Sequence, residues 1–292
     1  MACNHPLPAW RATTPNIKTG RLGVVFSAQG ADRSLPLELP CGRCIGCRLE
    51  KARGWAIRMV HEAKCHKQNW FVTLTYDQDH VHKTSSGLPT LQPRDFTLFM
   101  KRLRKCLGPG IRYYQCGEYG EQTLRPHHHA ILFNCPLSDL TPLRKTNANQ
   151  NATLYKSARL AKLWQNGNIS VGQVNFETAA YVASYVTKKI TGPTSAAYYN
   201  GRTPEYSTMS RRPGIGATFL HHFDTDVYPA DEVIIRGLSM KPPRYYDRQL
   251  ERSDPELYYQ VRDARQRRPS THHEREAKEV TQRSRLRKRD AT

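Results

Sequence analysis

The sequence predicts an α+β protein, a central antiparallel sheet with helices packed on one face of it. Two observations carry that prediction. Short β-branched and aromatic runs are paired through a glycine-containing turn, and other runs are separated by stretches with apolar residues at helical spacing. A third makes it feasible: 292 residues, 38% hydrophobic, with 15 tyrosines and 4 tryptophans, suffice for a sizeable core.

Taken in order, residues 1–40 read as loop-rich, with one strand candidate in Leu22–Phe26. Leu49, Ala52, Ala56, Met59, Val60 and Ala63 recur at three and four and predict a helix. Trp70–Tyr76 alternates aromatic and β-branched residues and predicts a strand. Phe96, Met100 and Leu103 give Asp95–Cys106 a helical stripe, with Pro93 near its start. Ile111–Cys116 and His127–Phe133 read as strands joined by Gly117-Glu118-Tyr119-Gly120 as the turn. Tyr155–Trp164 reads as helix, Ile169–Phe176 as extended, and Glu177–Ile190 as helix. The resulting division is a cysteine-rich segment and helix over 1–66, a core over 67–225, and a basic, flexible C-terminal region over 226–292. From Val261 to Thr292, 11 Lys or Arg face 5 Asp or Glu, which suits an arm that holds DNA electrostatically or a terminus without a role.

Charge narrows the function classes. Forty-five Lys plus Arg against 25 Asp plus Glu give +20, which points to a polyanionic partner, most simply nucleic acid. No apolar run approaches the roughly 18 residues a membrane span needs, and the first residues lack the apolar stretch of a secretory signal. Eight cysteines in such a chain read as reduced thiols or metal ligands rather than disulfides.

The candidate chemistry lies in two segments. In Arg125-Pro126-His127-His128-His129, strand alternation places His127 and His129 on one face and His128 on the other. Two imidazoles side by side can bind a divalent cation given a third ligand; Glu118 on the preceding strand is the first choice and Glu121 the second. Two imidazoles and a carboxylate suit Mn²⁺ or Mg²⁺ activating a phosphate oxygen; the competing reading is an exposed histidine run. In Tyr181-Val182-Ala183-Ser184-Tyr185-Val186-Thr187-Lys188-Lys189 the tyrosines stand at i and i+4 on one helix face. A phenol can attack phosphorus and hold a strand as a phosphotyrosine ester, and Lys188 and Lys189 a turn beyond can neutralise phosphate charge. Tyrosines at this spacing are otherwise packing residues.

His-x-His on a strand followed by YxxxYxxK on a helix resembles the HUH endonucleases that initiate rolling-circle replication. The likeness extends to the replication initiators of gokushovirus-like microviruses. It rests also on Cys41-Gly42-Arg43-Cys44-Ile45-Gly46-Cys47-Arg48, Phe71–Tyr76, Gly117–Gly120 and Ser210-Arg211-Arg212-Pro213-Gly214-Ile215-Gly216, and spans roughly residues 41–216. The resemblance implies a ferredoxin- or RRM-like core, with His127, His129 and Glu118 holding the catalytic metal. One of Tyr181 and Tyr185 would nick single-stranded DNA at a replication origin, keeping the 5′ phosphate and freeing a 3′ hydroxyl. The other would act when the circle is closed. Host helicase and polymerase are the implied partners, and the host bacterial cytoplasm the implied location. In this family the residue between the histidines is usually a bulky hydrophobe; His128 departs from that and is expected to be partly exposed or hydrogen-bonded.

Three further readings complete the set. Cys41, Cys44 and Cys47, with Cys3 or His5 as a fourth ligand, suit structural Zn²⁺, an iron–sulfur cluster being second and three reduced thiols third. Thr73 and Thr75 share a face, either near metal or DNA or simply as good strand formers. Arg211 and Arg212 suit a phosphate clamp or a solvated turn. The rivals to a nicking and joining enzyme are a plasmid-type relaxase, a non-catalytic basic nucleic-acid-binding protein with structural zinc, and a hydrolytic metallonuclease.

Overall fold

The computed structural model describes residues 3–17, 20, 22–145, 153–185, 188–265 and 271–290. The chain forms two compact units, one from residues 1–51 with 266–292 and one from residues 52–265.

In the first unit, β1 (Leu7–Pro15), β2 (Leu22–Val25) and β3 (Ala31–Leu39) form an antiparallel sheet in the order β2-β1-β3. The expectation of a loop-rich terminus with one strand is thereby corrected. Polar residues and prolines break the alternation of β1 and β3, yet their backbones pair. Helix α1 (Ile45–Lys64) starts in this unit and continues into the larger one.

The larger unit is built on seven strands: β4 (Asn69–Tyr76), β5 (Arg112–Tyr119), β6 (Pro126–Phe133), β7 (Leu140–Lys145), β8 (Thr153–Ser157), β9 (Gly167–Gln173) and β10 (Tyr206–Met209). Their order is β10-β5-β6-β4-β9-β8-β7, and every neighbouring pair is antiparallel. The predicted α+β class and central antiparallel sheet are therefore present. Helices cover both faces rather than one. Val72, Leu74 and Tyr76 of β4 and Ala130 and Leu132 of β6 pack on α2 (Pro93–Leu107) and α3 (Ala158–Trp164) through Phe96, Phe99, Met100, Leu103 and Trp164. On the other face, Tyr114 and Cys116 of β5 and Ile131 and Phe133 of β6 meet Ala56 and Met59 of α1 and Ala179, Val182 and Ala183 of α4 (Phe176–Ser184). A strand apolar on both faces demands such a double cover.

Other boundaries shift for local reasons. The first half of Tyr155–Trp164 belongs to β8, and Ser157 caps α3 by accepting from the Leu160 amide at 3.1 Å. Gly117, Glu118 and Tyr119 lie within β5, and the turn is formed by residues 120–125, closed by Gly120 N–H to the Arg125 carbonyl at 3.0 Å. Helix α4 opens with a reciprocal Asn175–Thr178 capping box and ends at Ser184, with Tyr185 as its C-cap, short of the expected Ile190.

Two short helices, α5 (Ser195–Tyr199) and α6 (Ala217–His222), flank β10, and α7 (Asp224–Val227) precedes the β11 (Val233–Ile235) and β12 (Leu238–Met240) hairpin. Helices α8 (Arg244–Ser253) and α9 (Pro255–Ala264) then bury Tyr246, Leu250 and Val261 with Ile57 of α1. In the smaller unit, α10 (His272–Asp290) pairs Arg275 with Glu38 at 3.1 Å and Glu279 with His5 at 2.7 Å. Among the described residues no helix is long and apolar enough to cross a membrane.

Candidate metal and nucleophile site

Strand register does the first positioning. His127 stands opposite Glu118 of β5 and Thr75 of β4, and His129 opposite Cys116 and Thr73. Opposed residues of an antiparallel pair share a face, so both imidazoles and the carboxylate emerge together. Nε2 of His127 lies 2.6 Å and Nε2 of His129 2.9 Å from Glu118 Oε1. The ligand atoms of all three lie within 4.8 Å of one another. Nδ1 of His127 donates to the Arg125 carbonyl at 3.0 Å, which turns the Nε2 lone pair of the neutral ring inward. Nδ1 of His129 is bonded to Thr73 Oγ1 at 3.0 Å, and Phe71 stacks on the same ring at 5.5 Å.

This donor set fits a divalent cation. A lone pair on Nε2 facing a carboxylate oxygen needs a proton or a metal between them. Glu118 Oε2 is buried with no hydrogen-bond partner, and Lys188 Nζ stands 4.0 Å from it. Burial opposes ionisation of Glu118, but the hydrogen bonds with His127 and His129 outweigh it and hold the carboxyl below its usual range. Burial lowers His129, with Glu118 working the other way, so its ring favours the neutral, metal-binding form.

The tyrosine helix faces this cluster. Tyr181 is 46% exposed while Tyr185 is 3% exposed, and their rings meet edge to face at 4.9 Å. The Tyr181 hydroxyl lies 3.4 Å from His129 Nε2; the Tyr185 ring stacks on His129 with centroids 5.4 Å apart. Burial raises the Tyr181 phenol to about 12, partly offset by its hydrogen bond with Tyr185, and raises Tyr185 much further. Lys188 reaches over the Tyr185 ring at 4.8 Å and pairs with Glu121 at 2.6 Å.

A family model for the phage replication-associated protein ORF2 matches residues 69–190, the span that holds all these residues. The chain is 34% identical over 230 residues to replication-associated protein ORF2 of Spiroplasma virus 4, covering 76% of this chain and 70% of that protein. It is 32% identical over 271 residues to replication-associated protein VP4 of Bdellovibrio phage phiMH2K, covering 88% and 80%. The chain belongs to this family of phage replication-associated proteins. A third member, replication-associated protein ORF4 of Chlamydia phage 1, is 27% identical over 215 residues, 71% of this chain and 52% of that one. No solved structure matches the chain. A role in phage replication follows from membership.

In this replication-associated protein the remaining expected residues fall into place differently. His128 is fully buried rather than partly exposed. It points to the α2–α3 face, where Tyr76 Oη at 3.1 Å and Tyr206 Oη at 3.5 Å take its two nitrogens, and burial drives its pKa down to about 3. A neutral imidazole there costs little because both nitrogens have partners. Glu121, the second choice of ligand, lies in the turn as the partner of Lys188, outside the cluster. Lys189 is exposed, and among the described residues no hydrogen bond or ion pair ties it to the cluster. Arg211 and Arg212 are at the far end of β5: Ser210 N–H bonds the Tyr113 carbonyl at 2.9 Å, five strand residues before Glu118. Thr75 turns to the Asn168 carbonyl at 3.2 Å, so of the two threonines only Thr73 serves the site. Sequence reasoning missed the Arg125 carbonyl and Phe71; a backbone acceptor and a stacking ring leave no motif of their own.

In the smaller unit, Cys3, Cys41, Cys44 and Cys47 bring their sulfurs within 4.8 Å of one another. Amides of Asn4, Cys41 and Cys44 donate to the sulfurs of Cys44, Cys3 and Cys41 at 3.2, 3.3 and 3.3 Å. Burial raises the Cys44 thiol, but these and neighbouring amides overcome it and bring the thiol to about 6, while burial pushes Cys47 up. Cys3 completes the quartet; His5 pairs with Glu279 instead.

Proposed function

We propose that the chain is a metal-dependent nickase and strand transferase, with tyrosine as nucleophile, that initiates and terminates rolling-circle replication at an origin in single-stranded phage DNA. One observation carries the reading: a buried His127–His129–Glu118 cluster with an exposed phenol, Tyr181, 3.4 Å from one of its nitrogens. The core over 67–225 holds the chemistry, with the cysteine-rich segment and the basic C-terminal region as accessories.

His127, His129 and Glu118 would hold Mn²⁺ or Mg²⁺, which when bound polarises a non-bridging oxygen of the scissile phosphate. Thr73 and the Arg125 carbonyl orient the two imidazoles. The Tyr181 oxygen forms a bond to phosphorus as the bond to the 3′ oxygen breaks; the phenol gives up its proton and the leaving oxygen takes one. Tyr181 performs the first cleavage because it is the exposed phenol. Tyr185, stacked on His129 and shielded, acts in the second, once the first ester has displaced Tyr181 from its place against the ring. Lys188, tied to Glu118 and Glu121, offsets phosphate charge. One ester replaces another, so no nucleotide is consumed. Zn²⁺ at the four cysteines would stabilise the smaller unit.

Single-stranded fragments of the genome that encodes the chain, labelled at either end and incubated with Mn²⁺, provide the test on a denaturing gel. The wild-type protein should give a metal-dependent covalent adduct with the 3′ fragment. Tyr181→Phe should cut first-round adduct at least 100-fold, Tyr185→Phe should leave it, and the double variant and the His127→Ala/His129→Ala pair should abolish it. Cleavage that survives loss of both tyrosines would overturn the reading in favour of hydrolysis, and retention without adduct in favour of a binding protein.

A further inference from the structure

At the end of β5 remote from Glu118, two open grooves share a wall made of Met209, Ser210, Arg211 and Arg212. The larger, about 680 Å³, is lined as well by Trp55, Arg58, Tyr245 and Arg252; the smaller, about 440 Å³, by Arg104 and Arg112. No acidic side chain lines either one.

The arginines are of two kinds. Arg104 is spent on the Ile111 carbonyl, at 2.9 and 3.0 Å, and Arg112 on Glu62 and the Pro213 carbonyl. Arg58 is 9% exposed, its guanidinium 4.0 Å from the Trp55 ring centre and 3.8 Å from that of Tyr245, with Nε donating to the Ile215 carbonyl at 2.8 Å. A cation clamped between two rings in the floor of a groove is rigid and poorly hydrated. Around it Arg211, Arg212 and Arg252 are exposed, with no hydrogen-bond or carboxylate partner among the described residues. Four cations converging without an acid repel one another, and an anion threading between them relieves that. Both rings already spend a face on Arg58, so the floor presents charge rather than a platform for stacking bases.

We propose that this groove is a second DNA-binding site, which takes the sugar-phosphate backbone of the substrate strand away from the scissile phosphate through Arg211, Arg212 and Arg252 over the Arg58 floor. It deepens the nicking and joining reading and rests on DNA being the substrate. The five residues of β5 between Tyr113 and Glu118 cover about 17 Å. At about 3.4 Å per phosphate along a stacked strand, that is about five nucleotides. The groove therefore engages DNA that extends beyond the cleaved bond by at least that length, and reads no bases.

Fluorescence anisotropy on the full chain tests this, with labelled dT oligomers of about 8 and about 30 nucleotides and a hairpin with a dT tail, over a salt titration. The Arg211→Ala/Arg212→Ala/Arg252→Ala triple variant changes exposed side chains only and should fold. Expected are at least tenfold weaker binding of the long oligomer, a salt slope lower by about 2 for three lost single-strand phosphate contacts, and little change for the short one. The hairpin arm tells whether the backbone held there is single-stranded or paired. Wild-type affinity and slope in the triple variant overturn the proposal, as does an equal loss on both lengths. Adduct formation is followed separately: a wild-type chain that never forms the adduct but shows the slope change sinks the nicking reading and leaves the groove standing. Normal adduct with an unchanged slope does the reverse.

Discussion

Thr73 separates positioning from coordination at the level of single residues. Its hydroxyl, 3.0 Å from His129 Nδ1, touches the imidazole but not the face that would meet a metal. Thr73→Val keeps the strand and removes this bond, so Mn²⁺ affinity measured by calorimetry should fall about tenfold while the melting temperature barely moves. A second test concerns His61, buried on α1 with Nδ1 2.9 Å from Tyr246 Oη. Burial, with Lys64 adding to it, holds its pKa down to about 3. Between about pH 6.5 and 3 the unfolded chain carries a proton that the folded ring refuses, so stability drops as pH falls through that window. The slope is about 1.4 kcal/mol per pH unit for this group. Urea denaturation at pH 7 and pH 5 should show about 2 kcal/mol lost, and a smaller loss in His61→Gln. At this scale the sequence was informative where periodicity acts. Parity along a strand is a property of the chain itself, so His127, His129 and Glu118 were visible. That Tyr181 is open while Tyr185 is closed depends on α4 stopping at Ser184 and on what packs there, which spacing does not encode.

Gly167 shows what an element can require of one position. It opens β9 with φ +141°, and a Cβ there would sit 2.4 Å from both the Asp77 amide nitrogen and the Thr75 carbonyl oxygen. Backbone lies on both sides, so nothing can yield without parting β4 from β9. Gly167→Ala should cost about 3 kcal/mol or more by denaturant titration, far above an alanine in an ordinary strand. The strands read correctly, β4, β6 and most of β9, are long, apolar and central. Those missed have identifiable reasons. In β1, Pro8 and Pro15 and an arginine interrupt the pattern; β10 has four residues, too few to show a period; β8 adjoins α3 without a break, so two elements read as one. The one-sided helix cover was a misjudgement of the same origin. Both parities of β4 are apolar, Phe71 on one side and Val72 and Leu74 on the other, and that pattern asks for two layers.

Over the whole molecule, charge and cysteine content were readable from composition, but the grouping of distant segments was not. Cys3 is brought to Cys41, Cys44 and Cys47 by the pairing of β1 with β3, a contact between residues far apart in sequence. Purified protein should carry about one chelator-resistant zinc by elemental analysis, and Cys44→Ser should lose it together with the thermal stability of the smaller unit. The composition of that unit also has a bearing on synthesis. Its two stretches, residues 1–51 and 266–292, leave the ribosome before and after the larger unit. The entire larger unit can emerge and fold in the interval. The cysteine quartet and the three-stranded sheet are complete once residue 47 is out, whereas Arg275 and Glu279, which pair with Glu38 and His5, arrive more than two hundred residues later. A nascent chain thus carries its smaller unit through most of translation without the helix that closes it, and an early stop codon anywhere before α10 leaves those two acid–base pairs unmade.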